Sequence, residues 1–325
     1  MKLSNLILVL CLAIFSGCSN SDVSVTTEDY SLSEIQQISS LDERFLTYYL
    51  ERPVGAEDIP ILVVIDGSGC SGQLRPVLGT LFKPSPEAPD RYARIAVEKP
   101  GVASDATGSE DCSEDFLKHY TMTNRVEDHL RVLQHLRKTA PWWNGELYIW
   151  GWSDGGDIGM RLLAYYPDAQ KAILGSFGGG FTMLEQFQSD TFCPAENYNE
   201  AEQDKRDICF EKTRQKFQAM SDNPTWQKNW AGQDNSWRVW STRLYGRSTV
   251  LLNDVSQPVL IIHGAQDVDA LESSRKMMTD LDETRRADVE VWEIKDIGHS
   301  FRDFDEQRLA EFTAQQLDWF FNGPN

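Results

Sequence analysis

The sequence is short of positive charge. Its 325 residues include 31 lysines and arginines against 50 aspartates and glutamates, which gives a formal net charge of −19. An acidic surface repels the phosphates of nucleic acids and anionic lipids, so neither is expected as the main partner. The imbalance places no limit on chemistry inside a pocket.

Metal-binding motifs and repeats are also missing. The five histidines are scattered along the chain, and the spacing of the cysteines fits no zinc signature. We predict neither a metal nor an organic cofactor, and no internal repeat is visible. With 41% hydrophobic and 25% charged residues, the composition suits one large α/β domain with an insertion.

The N terminus lacks an apolar run long enough to span a bilayer, because its run covers only residues 6–15. This run follows Lys2 and leads to a small-residue site ending in Cys18, and the segment resembles a bacterial lipoprotein signal peptide. The resemblance implies that residues 1–17 are removed and that Cys18 carries a lipid anchor for the exported protein. Serine after the cysteine is typical of outer-membrane retention, facing the periplasm. An ordinary secretory signal is the alternative.

The rest of the chain divides by its patterning. Residues 18–40 are polar with little periodicity, which is typical of a tether. Apolar runs then alternate with helical patterns, which predicts a doubly wound, mostly parallel sheet over residues 41–177 and 251–325. The intervening residues 178–250 are too many for a simple loop, so we predict an inserted helical cap.

The predicted elements follow the apolar periodicity. Helices are expected from an asparagine cap at about Asn124, after the turn at residue 153, around residues 271–281 and at residues 304–321. Strands are expected at residues 45–50, 61–65, 93–97, 147–150, 172–174, 258–262 and 289–294.

One turn between a strand and a helix carries a motif. Residues 151–155 read Gly-Trp-Ser-Asp-Gly, which fits the pattern G-x-S-x-G. A serine on a strained strand-to-helix turn crowds its neighbours two residues away, and only glycine fits comfortably there. The pattern alone is weak, but the strand before it and the helix after it favour a nucleophile at Ser153.

Two further strand ends supply a base and an acid. A serine hydroxyl needs a histidine to take its proton, and the histidine needs a carboxylate to fix its tautomer. Asp267 and His299 each lie just beyond a predicted strand, in the order expected of a hydrolase triad. Asp269 and Asp296 are rivals for the acid. A further histidine, His263, reads as a turn residue.

These motifs together resemble those of the α/β-hydrolase superfamily. The residues are Gly-Trp-Ser-Asp-Gly-Gly at 151–156, His-Gly-Ala-Gln-Asp at 263–267 and Gly-His at 298–299, and the elbow is similar to that of valacyclovir-hydrolase-like esterases. The resemblance covers residues 44–321, least well in the cap. It implies the α/β-hydrolase fold with acyl transfer to water through an acyl-enzyme, and it favours Asp267 as the acid.

The resemblance also implies an oxyanion hole of two main-chain N–H groups. One would be that of Asp154, directly after the nucleophile. The other lies in the loop after the strand at residues 61–65, where Asp66 stands in place of the family's usual histidine. We favour Ser68 over Gly69 as this second donor.

Four cysteines remain beyond the signal segment and allow three pairings. We expect Cys70 with Cys112 and Cys193 with Cys209, because each pair lies in loops that are local to one another in this fold. Such bridges form in an oxidising compartment. The first would tie the oxyanion loop to the segment after Pro100.

Substrate contacts are expected from the cap. Trp237, Trp240, Ser241 and Leu244 recur at helical spacing, a stripe that is more often a core than a pocket wall. As candidate pocket residues we take the first three of these together with Trp152. Arginines of the cap could meet a substrate carboxylate but are usually solvated surface; they are Arg238, Arg243 and Arg247.

The sequence therefore predicts an exported serine hydrolase, foremost a carboxylesterase for small or medium acyl esters. A peptidase, amidase or thioesterase of the same fold is the alternative within this class. A non-catalytic binding lipoprotein is the alternative of another class, and the intact candidate triad argues against it. The predicted partners are a small ester or amide and, through the lipid, a membrane. The oligomeric state is not predicted.

Overall fold

The structure is a computed structural model that describes part of the chain. The described residues are 30–73, 82, 92–108, 112–186, 193, 197, 202–230, 232, 234–244, 246–286, 288–301 and 304–323. The predicted signal segment and Cys18 lie outside them. None of the helices in the described part combines the length and hydropathy needed to cross a membrane.

In the described residues, eight strands form one sheet. They are β1 (Tyr30–Ser39), β2 (Phe45–Pro53), β3 (Ile59–Ile65), β4 (Ala93–Val97), β5 (Trp143–Trp152), β6 (Ala169–Gly175), β7 (Val259–Gly264) and β8 (Val289–Ile294). Their spatial order is β1-β2-β4-β3-β5-β6-β7-β8. Strand β2 pairs antiparallel with β1 on one side and with β4 on the other. Strands β3 to β8 all run parallel to one another. The predicted fold class, an α/β-hydrolase sheet, is confirmed.

Helices flank this sheet and fill the insertion. They are α1 (Glu114–His119), α2 (Met122–Thr139), α3 (Asp154–Tyr165), α4 (Met183–Gln186), α5 (Gln203–Asp222), α6 (Trp237–Ser241), α7 (Ser248–Asp254), α8 (Val268–Asp280), α9 (Glu283–Arg286) and α10 (Glu306–Asn322). Helix α2 begins earlier than predicted. Its N-cap is Thr121, whose hydroxyl accepts a hydrogen bond from the Asn124 N–H at 3.1 Å.

The sheet is buried on both faces, which explains the unbroken apolar runs of its strands. In β3, Val63 and Ile65 belong to the core shared with α2, α3 and α8. The alternate residues Leu62 and Val64 belong to the opposite core, which α10 covers. Because successive side chains point to opposite faces, a strand between two helix layers needs apolar residues at every position.

The tether prediction for residues 18–40 differs from the structure in its second half. Residues 30–39 form β1, which pairs antiparallel with β2 at the edge of the sheet. An edge strand is held through main-chain hydrogen bonds and does not require alternating apolar residues, so its polar sequence resembles a tether.

The described part of the insertion is helical and has a core of its own. Phe217 and Met220 of α5 pack with Trp240 and Leu244. The helix predicted through Leu244 ends at Ser241, so α6 has only five residues. Both predicted disulfides are present, with Cα atoms 5.2 Å apart for Cys70–Cys112 and 6.0 Å apart for the cap pair.

Candidate active site

The turn between β5 and α3 holds Ser153 in a strained conformation. Its φ is 57° and its ψ is −123°, a backbone conformation that residues other than glycine rarely adopt. A Cβ at Gly151 would overlap the main chain at Gly155, and a Cβ at Gly155 would overlap the carbonyl of Ile65. The two motif glycines are therefore required by close main-chain approaches, and the predicted elbow is present.

Ser153, His299 and Asp267 form a continuous hydrogen-bonded chain. His299 Nε2 lies 2.8 Å from Ser153 Oγ, and His299 Nδ1 lies 2.9 Å from Asp267 Oδ2. These are the distances required of a nucleophile, its base and the group that orients the base. The carboxyl ends of the parallel strands β5, β7 and β8 meet at one edge of the sheet, which brings the three residues together.

The carboxylate that contacts the base is Asp267 rather than its rivals. Burial opposes the ionised form of Asp267, but the hydrogen bond and charge of His299 outweigh it and hold the pKa of Asp267 below its usual value. Asp269 lies in the first turn of α8, and Asp296 is an exposed residue of a left-handed turn. His263 is a buried residue of β7, and burial lowers its pKa to about 4.

The loop after β3 lies against Ser153. A Cβ added at Gly67 would be 3.1 Å from the Cβ of Ser153, so the loop main chain passes directly beside the serine. The disulfide Cys70–Cys112 holds its middle, and the Gly72 N–H donates to the Ala106 carbonyl at 2.9 Å. This placement suits a main-chain oxyanion donor in the loop, and the choice between its Ser68 and Gly69 stays a prediction.

A buried ion pair joins the cap to the elbow. Arg243 Nη2 donates to Asp154 Oδ2 at 2.6 Å, and the Tyr120 hydroxyl donates to the same oxygen at 2.6 Å. Burial and the charge of Asp154 raise the pKa of Tyr120 well above its usual value, so the phenol keeps its proton. Arg243 is buried and paired with the residue after the nucleophile, unlike the solvated arginine expected from sequence.

A second polar contact joins the cap to α3 one turn further on. The Ser248 hydroxyl donates to Asp157 Oδ1 at 2.7 Å. Burial raises the pKa of Asp157 from 3.8 to about 6, with the Ser248 hydrogen bond opposing that rise. The first two turns of α3 thus carry two carboxylates that bind the cap.

Comparisons with known proteins agree with this geometry. The model of the prolyl oligopeptidase family matches residues 101–323, which hold the elbow and the other two members of the hydrogen-bonded chain. The chain belongs to the prolyl oligopeptidase family. Together with the α/β-hydrolase fold, membership supports a serine hydrolase. Among curated proteins, none matches this chain.

Solved structures of esterases and peptidases share the fold. Est1E from Butyrivibrio proteoclasticus is 15% identical, over 88% of this chain and 98% of its own, with a TM-score of 0.52. The acylaminoacyl peptidase from Pyrococcus horikoshii is 15% identical over 90% of this chain and 42% of its own, with a TM-score of 0.54. Dipeptidyl peptidase 4 from Porphyromonas gingivalis is 13% identical over 89% of this chain and 35% of its own, with a TM-score of 0.53. This chain therefore spans less than half the length of these two peptidases.

The aromatic residues predicted to line a pocket have other roles in this prolyl oligopeptidase family member. Trp240 is buried in the core of the cap, where its indole N–H donates to the Trp230 carbonyl at 2.9 Å. Trp237 packs against that cluster and under Lys228. The Ser241 hydroxyl donates to the Arg238 carbonyl of its own helix at 2.8 Å. The predicted stripe thus forms part of the core of the cap through its two tryptophans, and Ser241 lies at the end of α6.

Trp152, the other predicted pocket residue, is buried and contacts the loop that carries His299. Its ring is buried between β5 and Phe301, and its indole N–H donates to the main-chain carbonyl of His299 at 2.8 Å. The ring lies so close to β6 that a Cβ at Gly175 would overlap it. The residue before the nucleophile therefore fixes the loop that carries the histidine.

Three residues at the site escape sequence reasoning: Lys99, Tyr120 and Arg243. Lys99 has a signal, since two charged residues, Glu98 and Lys99, follow an entirely buried strand, at the end where parallel strands place functional groups. No sequence signal marks the contacts of Tyr120 and Arg243 with Asp154, because these residues are distant from Asp154 in sequence.

Proposed function

We propose that this serine hydrolase cleaves carboxylic esters with small or medium acyl groups. The observation that carries the proposal is the hydrogen-bonded chain from Ser153 through His299 to Asp267, which starts at a strained elbow. Such a chain activates a hydroxyl for attack on a carbonyl carbon. Ser153, His299 and Asp267 are the proposed nucleophile, base and orienting acid.

The proposed reaction has two halves. Ser153 Oγ attacks the ester carbonyl carbon while His299 Nε2 takes its proton, and the same proton passes to the leaving alkoxide as the carbon–oxygen bond breaks. Water then gives a proton to His299 and attacks the acyl-enzyme, which releases the acid and restores Ser153. Asp267 stays ionised and stabilises the imidazolium in both halves. The N–H of Asp154, with that of Ser68 or Gly69, would bind the oxyanion.

Esters are our first choice because an alkoxide leaves with less help from a general acid than an amine does. The solved structure of Est1E with ferulic acid bound shares this fold, so a feruloyl ester belongs in the first substrate panel. The similarity of the elbow to valacyclovir-hydrolase-like esterases stays a prediction. Membership in the prolyl oligopeptidase family favours a peptidase as the second candidate. A panel of nitrophenyl esters and aminoacyl anilides separates the two, and higher kcat/KM on the anilides would reverse our order.

Fluorophosphonate labelling tests the nucleophile directly. The wild-type protein should take one label, and Ser153→Ala should take none. Ser241→Ala is a matched control, because this hydroxyl bonds within its own helix, and it should label like wild type. An unlabelled wild-type protein, or a labelled Ser153→Ala variant, would exclude the proposed mechanism.

We further propose that the protein is exported and anchored by a lipid on Cys18. The N-terminal sequence supports this, and so do the two disulfides, since disulfides persist in oxidising compartments. Outer-membrane retention follows from Ser19 by resemblance to the lipoprotein sorting pattern. Metabolic labelling with a palmitate analogue should mark wild type and spare Cys18→Ala. A wild-type protein that takes no label and is not retained in the membrane would leave an ordinary secretory signal as the explanation.

A further inference from the structure

Lys99 is a fully buried cation behind the loop that lies against Ser153. Its side chain has no exposed surface, and its Nζ donates to the Gly69 carbonyl at 2.9 Å. The Ser68 carbonyl is 3.5 Å from the same atom. The nearest carboxylate, that of Asp66, is 4.0 Å away. Lys99 therefore faces the main chain of the loop more closely than it faces any counter-charge in the described residues.

These contacts fix the direction of two peptide units. In a trans peptide the carbonyl and the following N–H point in opposite directions. Because Lys99 draws the carbonyls of Ser68 and Gly69 to its own side, the N–H groups of Gly69 and Cys70 point to the other side of the loop. The loop is thereby held with its acceptors toward β4 and its donors away from it.

The neighbouring residue holds the far end of the same loop. The Glu98 carboxylate accepts hydrogen bonds from the N–H groups of Gln73 at 3.0 Å and of Lys99 at 2.9 Å. Tyr49 donates its hydroxyl to the same carboxylate at 2.8 Å. The end of β4 thus contacts the loop at two places, through a cation near its middle and an anion at its end.

Burying an ammonium group is unfavourable, and an apolar side chain of similar volume would fill the same space at no such cost. What the ammonium adds is the orientation of the loop carbonyls. We propose that Lys99 is a positioning residue for the oxyanion hole: by holding the peptide unit between Ser68 and Gly69 it pre-organises the N–H of Gly69, one of the two candidate donors. This inference rests on the proposed serine hydrolase function.

The chain offers a matched control at Lys171 of β6. This lysine is also buried, with 4% of its surface exposed, and its Nζ donates to the Gly323 carbonyl at 3.0 Å. The Trp319 carbonyl lies 3.5 Å away. Lys171 thus makes the same kind of contact with main-chain carbonyls, but at the end of α10 instead of beside Ser153.

The test compares Lys99→Met with Lys171→Met in ester hydrolysis and in urea unfolding. Both variants should change the free energy of unfolding alike, since each replaces a buried ammonium group by an apolar side chain and removes the same kind of hydrogen bond to main-chain carbonyls. Only Lys99→Met should lose kcat, by about 100-fold, because small displacements of oxyanion donors have effects of that size. Its KM should change by less than about twofold, since the ester carbonyl gains its charge only in the transition state. A trifluoromethyl ketone should bind Lys99→Met more weakly by the same factor as kcat/KM falls.

Lys99→Gln keeps an N–H donor on a shorter side chain and should retain more kcat than Lys99→Met. If Lys99→Met does not fold, the glutamine variant takes its place with the same expected split between kcat and KM. Equal kcat in the Lys99 and Lys171 variants, or an unchanged affinity for the ketone, would overturn the inference. A wild-type protein without fluorophosphonate labelling or ester hydrolysis would instead overturn the proposed function.

Discussion

Substituting Arg243 by methionine would break the ion pair between the cap and the elbow. The side chains of Arg243 and Asp154 are 7% and 8% exposed, so little water is available to replace the lost partner. Methionine replaces the apolar stem of arginine without its guanidinium, and the Tyr120 hydroxyl remains as a donor to Asp154. The variant thus isolates the effect of a single buried charge.

The size of the effect follows from the geometry. At the observed 2.6 Å, two unit charges attract by roughly 6 kcal/mol at an effective dielectric constant of about 20. Desolvation of both groups cancels most of this, so the pair adds little over two neutral residues, whereas one unpaired buried charge costs about 3–5 kcal/mol. Arg243→Met should therefore lower the free energy of unfolding by about 3–5 kcal/mol.

A double-mutant cycle in urea measures this interaction. Asp154→Asn alone should be destabilising too, because it leaves the guanidinium buried without a counter-charge. The double variant should be more stable than the sum of the single effects predicts, by at least about 2 kcal/mol. Strictly additive losses would show that the two groups do not interact in the folded protein, and the described anchoring of the cap would be wrong.

Three further predictions concern the triad, the cap contact and the oxyanion loop. Asp267→Asn should lower kcat by about 10⁴-fold through the wrong histidine tautomer, while Asp296→Asn should stay within about twofold in the same ester assay. The pKa of Asp157 rises from 3.8 to about 6 on folding, so the native state binds more protons between these values and wild-type stability falls as pH rises through them. The free energy of unfolding of Asp157→Asn, measured in urea relative to wild type, should thus rise by on the order of 2–3 kcal/mol between about pH 4 and pH 7. A difference between variant and wild type that does not change with pH would contradict the pKa shift. Replacing Cys70 and Cys112 by serine should lower kcat about 10-fold by loosening the oxyanion loop, and the same change at the cap disulfide should lower only stability; equal kcat in both would contradict that role.

Local patterns are sufficient to predict the triad and the central strands. Ser153, Asp267 and His299 each lie one or a few residues beyond the end of a strand, and parallel strands bring their carboxyl ends to one edge without any further information. Strand β4 has its predicted bounds, since all five of its side chains are buried; four of them are apolar, and the fifth, Arg94, pairs with Glu51.

The remaining features depend on contacts that no local pattern records. Arg243 meets Asp154 across 89 residues, and Lys99 meets Gly69 across 30, so both depend on where the cap and the loop lie in the fold. Strand β1 escapes prediction because main-chain pairing sets it. The aromatic stripe of α6 is ambiguous from sequence, since tryptophans at helical spacing form a core more often than a pocket wall but can form either.

The contact between Trp152 and Gly175 has a consequence for mutational maps of this protein. Any side chain at Gly175 displaces the indole, and the indole holds the main chain of His299. A deep mutational scan scored on esterase turnover would therefore record position 175 among the most sensitive sites, although it touches no reacting atom. Scored on abundance, the same position would rank lower than the buried apolar residues of β6. A position that is sensitive in the activity score but less so in the abundance score would show that Gly175 acts on His299 through the indole of Trp152.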